Sequence, residues 1–179
     1  MPHIVISMKQ GERTANLLGA LAVAVGDQLS AETATAAGHG AMIPAALATL
    51  HHSPGIGIGD LARVLDLTHP GTVRLVDRLA ADGLVTRHGA ADGRAVSLRL
   101  EPKGRRAAQK VLEARTRILA NALRSLRADE LRQLDDLIGR MLAALTPDPD
   151  VADHTCRLCD EQVCPLATCP VEGAIAGQR

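Results

Sequence analysis

The sequence predicts a mainly α-helical fold with one small β-hairpin, and three observations carry that reading. Most apolar residues recur at spacings of three and four, the period of helices with one buried face. Two short helical stretches, beginning at Ile58 and Thr68, are joined by a connection of only two residues, Asp66 and Leu67. Just beyond them Val96, Leu98 and Leu100 alternate with Ser97 and Arg99, the period of a strand.

Residues 1–10 read as a loose arm. Residues 11–37 form a long helix, because Leu17, Leu18, Leu21, Val25 and Leu29 fall on one face. A second helix spans 41–52, with Ile43, Leu47 and Leu50 inward and Pro44 in the first turn, where a missing N–H costs nothing. Ser53-Pro54-Gly55 ends it. His51 and His52 sit at the negative pole of this helix, which favours imidazolium. As metal ligands they would point two ways, so the dipole reading is preferred.

Ile58 opens a short helix with Leu61, Ala62 and Leu65 inward and Asp60 at its positive end. The stretch 68–85, THPGTVRLVDRLAADGLV, organises the rest. Thr68 is a good N-cap and Pro70 fits the first turn. Val73, Val76, Leu79 and Ala80 share the expected buried face, which leaves His69, Thr72, Arg74, Leu75 and Arg78 pointing elsewhere. Gly83 is the expected left-handed stop. Two short helices with a tight connection form a helix-turn-helix, whose second helix lies in the major groove of DNA.

Residues 85–88 and 95–100 are β-like, and the turn formers of 89–94 lie between them, with Asp92-Gly93 the sharpest turn signal. This hairpin is a wing. Arg94 is placed to enter a minor groove or hold a phosphate, with Asp92 bracing it. Pro102 opens a long helix to about residue 127, with Val111, Ile118, Leu119, Ala122 and Leu126 in its stripe. A last helix over 128–146 carries Leu131, Leu134, Leu137, Ile138, Met141, Leu142 and Leu145 on one side, a face too apolar to leave wet.

These elements, in this order and spacing, resemble the MarR (multiple antibiotic resistance regulator) family. The carrying residues are Leu61-Ala62, the run from Thr72 to Leu79, Gly83-Leu84-Val85, the Asp92-Gly93-Arg94 wing and the segment from Leu100 to Gly104. In that segment Glu101 stands where the family has threonine. The resemblance spans roughly residues 11 to 146. It implies a winged helix-turn-helix with flanking dimerisation helices, a homodimer on a pseudo-palindromic operator, and a repressor released by a small-molecule effector or by oxidation. The first and the two last long helices would meet their symmetry mates, setting two recognition helices on half-sites about 10 base pairs apart.

Composition fits this reading. The 179 residues include no Phe, Tyr or Trp, so the core must be built from Leu, Val, Ile, Ala and Met. Base stacking on aromatic rings, the device of many single-strand binders, is excluded. The formal net charge is zero, yet residues 55–110 hold ten basic and six acidic side chains, and residues 150–179 two and five. The positive excess falls where phosphates would be met. No apolar run approaches the about 18 residues that span a bilayer, and the N-terminus lacks a basic start, so a cytoplasmic protein without a membrane partner is expected.

Beyond Pro147-Asp148-Pro149 lies a segment outside the family pattern. All four cysteines of the chain, Cys156, Cys159, Cys164 and Cys169, fall there as C-x2-C-x4-C-x4-C. In a reducing compartment such clustering favours metal or redox chemistry over structural disulfides. Three readings stay open: a zinc site that folds an otherwise coreless tail, an iron–sulfur cluster, and free thiols that oxidise as a switch. His154 could replace a ligand, although a solvated histidine is the simpler reading.

The chain thus divides into an arm and dimerisation helix (1–40), a winged helix-turn-helix (41–101), C-terminal dimerisation helices (102–146) and a cysteine-rich tail (147–179). The expected function is sequence-specific regulation of transcription on double-stranded DNA, with contacts from Thr68, His69, Thr72, Arg74, Arg78 and Arg94. The alternative is a metal-binding or redox protein that uses the winged helix as a protein adaptor. No catalytic set, such as Ser-His-Asp, a carboxylate pair or a phosphate loop, is legible, so no enzyme is expected.

Overall fold

The computed structural model describes residues 8–37, 42–89, 96–161, 163–164 and 166–176. The order is α1 (Met8–Ala37), α2 (Ile43–His52), α3 (Ile58–Leu65), α4 (His69–Ala81), β1 (Val85–Gly89), β2 (Val96–Leu100), α5 (Pro102–Leu123), α6 (Ala128–Ala144), α7 (Pro149–Cys156), a 3-10 turn (Leu166–Thr168) and α8 (Pro170–Ala174). Helix α1 starts three residues earlier than expected, so Met8–Gln10 belong to it and not to a loose arm. Helix α5 ends at Leu123 rather than near 127, its Arg124 N–H bonded back to the Asn121 carbonyl.

The core lies between α2, α3, α4, the hairpin and the start of α5. Leu47, Leu50, Leu61, Leu65, Leu79, Leu98, Val76 and Val85 are its largest fully buried side chains, and it is built without a single aromatic ring, as the composition requires. The stretch from Ile43 to Leu50 is buried throughout, because α2 is clasped between α1, α5, α3 and β2.

The hairpin pairs antiparallel, with Val85 opposite Leu100 and Gly89 opposite Val96. A third extended segment, invisible in the sequence, lies along β2. Gly55 N–H donates to the Leu98 carbonyl at 2.9 Å, Leu98 N–H to the Ile56 carbonyl at 3.0 Å, and Gly57 bridges Ser97. The linker between α2 and α3 thus fixes the hairpin to the helix-turn-helix.

Both ends of α4 are set by local chemistry. Thr68 Oγ1 accepts from the Gly71 N–H at 3.3 Å, the expected N-cap bond. At the other end Gly83 adopts φ +67°, its N–H donates to the Ala80 carbonyl and the Leu84 N–H to the Leu79 carbonyl. That pair of bonds is a Schellman stop, and glycine carries the left-handed backbone without strain. Gly104 has a different reason. A Cβ there would lie 2.0 Å from the Leu84 carbonyl oxygen, so only glycine lets α5 approach the start of β1.

The buried face of α4 is rotated from the expected one. Thr72, Val76 and Leu79 are buried, whereas Val73 and Ala80 are half-buried. Leu75 is also half-buried and packs against the core. In α5, Val111 and Ile118 are buried as expected, but Leu119 is half-buried and Ala122 is exposed, and Leu126, beyond the end of the helix, is half-buried.

Large apolar side chains remain exposed on α1 and α6: Leu17, Leu18, Leu21 and Val23 on the first, Leu131, Leu137, Ile138 and Met141 on the second, with Leu145 just beyond it. Helix α6 has no buried residue at all. Among the described residues no helix is long and apolar enough to cross a membrane.

The tail is not coreless. Ala152, Cys169, Val171 and Ile175 are buried together, and Leu142 of α6 packs on them with Cys156 and Cys164. Asp148 caps α7 by accepting from the Val151 N–H at 2.9 Å. Helix α7 packs on α3, and α8 packs on α6.

Candidate nucleic-acid interface and thiol cavity

One surface gathers most of the residues expected to meet DNA. Thr68, His69, Arg74 and Arg78 are exposed at the start and along the outer side of α4. Arg74 Nε donates to the Pro70 carbonyl at 3.3 Å, which lays the side chain along the helix. Thr72 is different. It is fully buried, and its hydroxyl donates to the Thr68 carbonyl at 3.2 Å. A side chain so placed presents nothing to a groove. Its methyl fills the core while its hydroxyl is satisfied by the preceding turn. Asp92 and Arg94, the expected wing residues, lie outside the described residues.

Two contacts missed in the sequence tie the hairpin to α4. Arg87 of β1 pairs with Asp77 at 2.7 Å and reaches the Val73 carbonyl at 3.5 Å. Asp77 therefore neutralises one cation near the surface rather than facing a duplex. Only the ten-residue separation of two opposite charges hinted at this. Lys103 Nζ donates to the Asp82 carbonyl at 2.8 Å, and Arg105 to the Leu100 carbonyl at 2.8 Å. Part of the local basic excess thus caps carbonyls at helix and strand ends.

The second feature lies behind α3. A cavity of about 600 Å³ is lined by Thr49 and His52 of α2, by Arg63 of α3, by Arg157 and by all four cysteines. The tail is tethered beside it. Arg63 pairs with Asp153 at 2.7 Å, with Asp150 at 3.2 Å and with Asp60 at 3.3 Å. His154 Nδ1 lies 3.0 Å from the Val64 carbonyl, so this half-buried histidine is bound to α3 rather than solvated. Leu158, inside the C-x2-C loop, packs against the main core.

Cys156 is influenced most by Cys159, and among the other cysteines Cys164 is influenced most by Cys169. The Cys159 N–H also donates to the Cys156 carbonyl at 2.7 Å, the tight turn of a C-x2-C loop. The bond from Cys156 brings the Cys159 thiol down to about 6 against its burial, with Arg115 helping. Cys156 is pushed up, first by that same bond and then by burial. Burial, followed by the charge of Cys169, raises Cys164. Among the described residues no three His, Cys, Asp or Glu side chains gather closely enough to hold a single metal ion.

Two buried polar atoms lack a hydrogen-bond partner among the described residues, Thr49 Oγ1 and His52 Nε2. Both belong to residues lining the thiol cavity. Thr49 is only 8% exposed. Nothing in the sequence marked Thr49, because it sits one turn from His52 inside an apolar helix.

Residues 44–95 match the MarR family. A MarR family protein from Bacillus stearothermophilus shares 26% identity and a TM-score of 0.66, over 76% of this chain and 96% of that one. The YusO protein of Bacillus subtilis is 21% identical with a TM-score of 0.65, over 75% and 96%. MepR, a transcription regulator of the Staphylococcus aureus multidrug efflux pump MepA, is 18% identical with a TM-score of 0.60, over 73% and 97%. The last two speak for the fold alone. No curated protein matches the chain.

Proposed function

The chain being a MarR-family winged-helix protein with the fold of that family's transcription regulators, we propose that it is a sequence-specific regulator acting on double-stranded DNA as a homodimer. The observation that carries this reading is the exposed side of α4, where Thr68, His69, Arg74 and Arg78 stand clear of the core. Arginine can read guanine edges or hold phosphates, and the capped N-terminus of α4 favours an anion. Arg94, on the wing, is assigned to the minor groove.

The homodimer is supported by the apolar faces of α1 and α6. Leu21 is 56% exposed, Val23 64% and Leu145 70%, and exposed apolar side chains of this size are covered in a stable assembly. Two recognition helices on one two-fold axis would meet a pseudo-palindrome. The simplest action is repression, relieved by an effector or by a change at the thiols. A groove of about 620 Å³ between the end of α2 and α5, lined by His51, Leu112, Thr116 and Ala120, is where a small effector would fit.

The test is a titration of the full-length chain against the upstream region of its own gene, with an unrelated duplex as competitor. Specific retardation, lost in Arg78→Ala and steeply salt-dependent, is the expected result. Equal affinity for both duplexes would exclude a sequence-specific regulator and leave the protein-adaptor reading. Sedimentation of the same sample gives the assembly state.

A further inference from the structure

We propose that the cavity behind α3 is the site of a binuclear iron–sulfur cluster, held by Cys156 and Cys159 on one iron and by Cys164 and Cys169 on the other. This goes beyond DNA binding and does not depend on it. The first argument is the placing of the thiols. A single zinc ion needs four sulfurs at about 2.3 Å in one tetrahedron. The four thiols do not form such a set, and no three of the described ligand-type side chains do. Cys156 and Cys159 sit on one tight turn, closed by the Cys159 N–H on the Cys156 carbonyl at 2.7 Å, and they line one cavity with Cys164 and Cys169. A binuclear cluster takes two thiolates per iron, which is this arrangement.

The second argument comes from the opposite wall. Among the described residues Thr49 Oγ1 and His52 Nε2, buried beside the cavity, have no partners. Buried polar groups are nearly always satisfied, so such a pair marks a missing acceptor. A zinc ion adds no acceptor beyond the sulfurs of its own thiolate ligands. The bridging sulfides of a cluster do, and hydrogen bonds to them are a recognised means of tuning it. Thr49 donates through its hydroxyl, and His52 through its Nε2–H tautomer.

Two ferric ions, two sulfides and four thiolates sum to roughly −2. Their four thiol protons go to solvent on assembly. Arg63 and Arg157 line the cavity. Asp60, Asp153, Glu161 and Glu172 line it as well; the two aspartates are paired with Arg63, and the two glutamates oppose the charge of the cluster. Cluster assembly would hold the C-x2-C loop, and with it Leu158, against the winged-helix core.

The test is anaerobic reconstitution of the full-length chain with ferric iron and sulfide, followed by iron, sulfide and zinc analysis and visible spectroscopy. About two irons and two sulfides per chain with visible absorption are expected. Cys156→Ser and Cys164→Ser should each lose that colour while keeping their far-ultraviolet dichroism. Thr49→Val should shift the reduction potential and retain cluster about ten-fold less well, and Thr49→Ser should restore both. One zinc per chain without colour, four irons per chain, or a metal-free chain with four titratable thiols would each overturn the assignment. DNA binding by the metal-free chain is scored separately, so failure of one reading leaves the other distinguishable.

Discussion

The winged helix and the tail are stabilised in different ways. In the winged helix, leucines and valines from four helices and a hairpin meet in one cluster that includes Leu47, Leu61, Leu79 and Leu98. Its helix α4 is closed at both ends by its own Thr68 and Gly83. The tail buries Ala152, Cys169, Val171 and Ile175 and little else. It leans on α3 through the ion pairs of Arg63, a side chain 41% exposed, and such pairs are individually weak. The first region is closed by its own side chains. Between the second and the first lies a hole, faced by polar atoms of α2 that have no partner among the described residues. The lesson is that a region which cannot close its own packing is where a guest should be sought.

The comparison can be broken first at the two cores. Leu47→Ala should cost about 3 kcal/mol and lower the whole cooperative unfolding transition. Ile175→Ala should remove a similar contact, yet act on the tail alone. Limited proteolysis would then cut beyond residue 147 while the thermal transition of the winged helix moves little. A global transition shifted equally by both changes would show that the two regions form one cooperative unit.

Gly104→Ala comes next. Its Cβ would meet the Leu84 carbonyl oxygen, so a loss of about 1–3 kcal/mol is expected in thermal melts. An unchanged melting temperature would mean that α5 can move off β1 freely. On the DNA face, Arg78→Ala should weaken operator binding by about 1–3 kcal/mol. Thr72→Val should leave affinity within about two-fold, since Thr72 is buried against its own turn. A large loss in Thr72→Val at unchanged stability would return that residue to the interface. The smallest effect is expected for Arg63→Ala, below about 1 kcal/mol for each pair removed. Faster hydrogen exchange in α7, with α4 unaffected, is its signature.

Most of the winged helix was legible because its rules are local. Thr68, Pro70 and Gly83 fix the ends of α4 from their own backbone chemistry, and the alternation of Val96 to Leu100 fixes the strand. The face of α4 was misread by residue type. Threonine reads as polar in a sequence, but Thr72 hides its methyl and satisfies its hydroxyl one turn back. The strip at Gly55–Gly57 is too short to show a period. The tail core joins Ala152 to Ile175 across turns, which no helical or strand spacing encodes. The cysteines were plain in the sequence. Their gathering around one cavity, with Thr49 and His52 across from them, exists only once α2 and the tail are brought together.

A core assembled wholly from leucine, valine, isoleucine and alanine has an optical consequence. The polypeptide is transparent in the near-ultraviolet and has no intrinsic fluorescence, since nothing in it carries an indole, a phenol or a benzene ring. Its concentration must be measured at the peptide bond or by dye. Any band above that region, in absorption or in dichroism, belongs to nucleic acid or to a chromophore the protein has taken up.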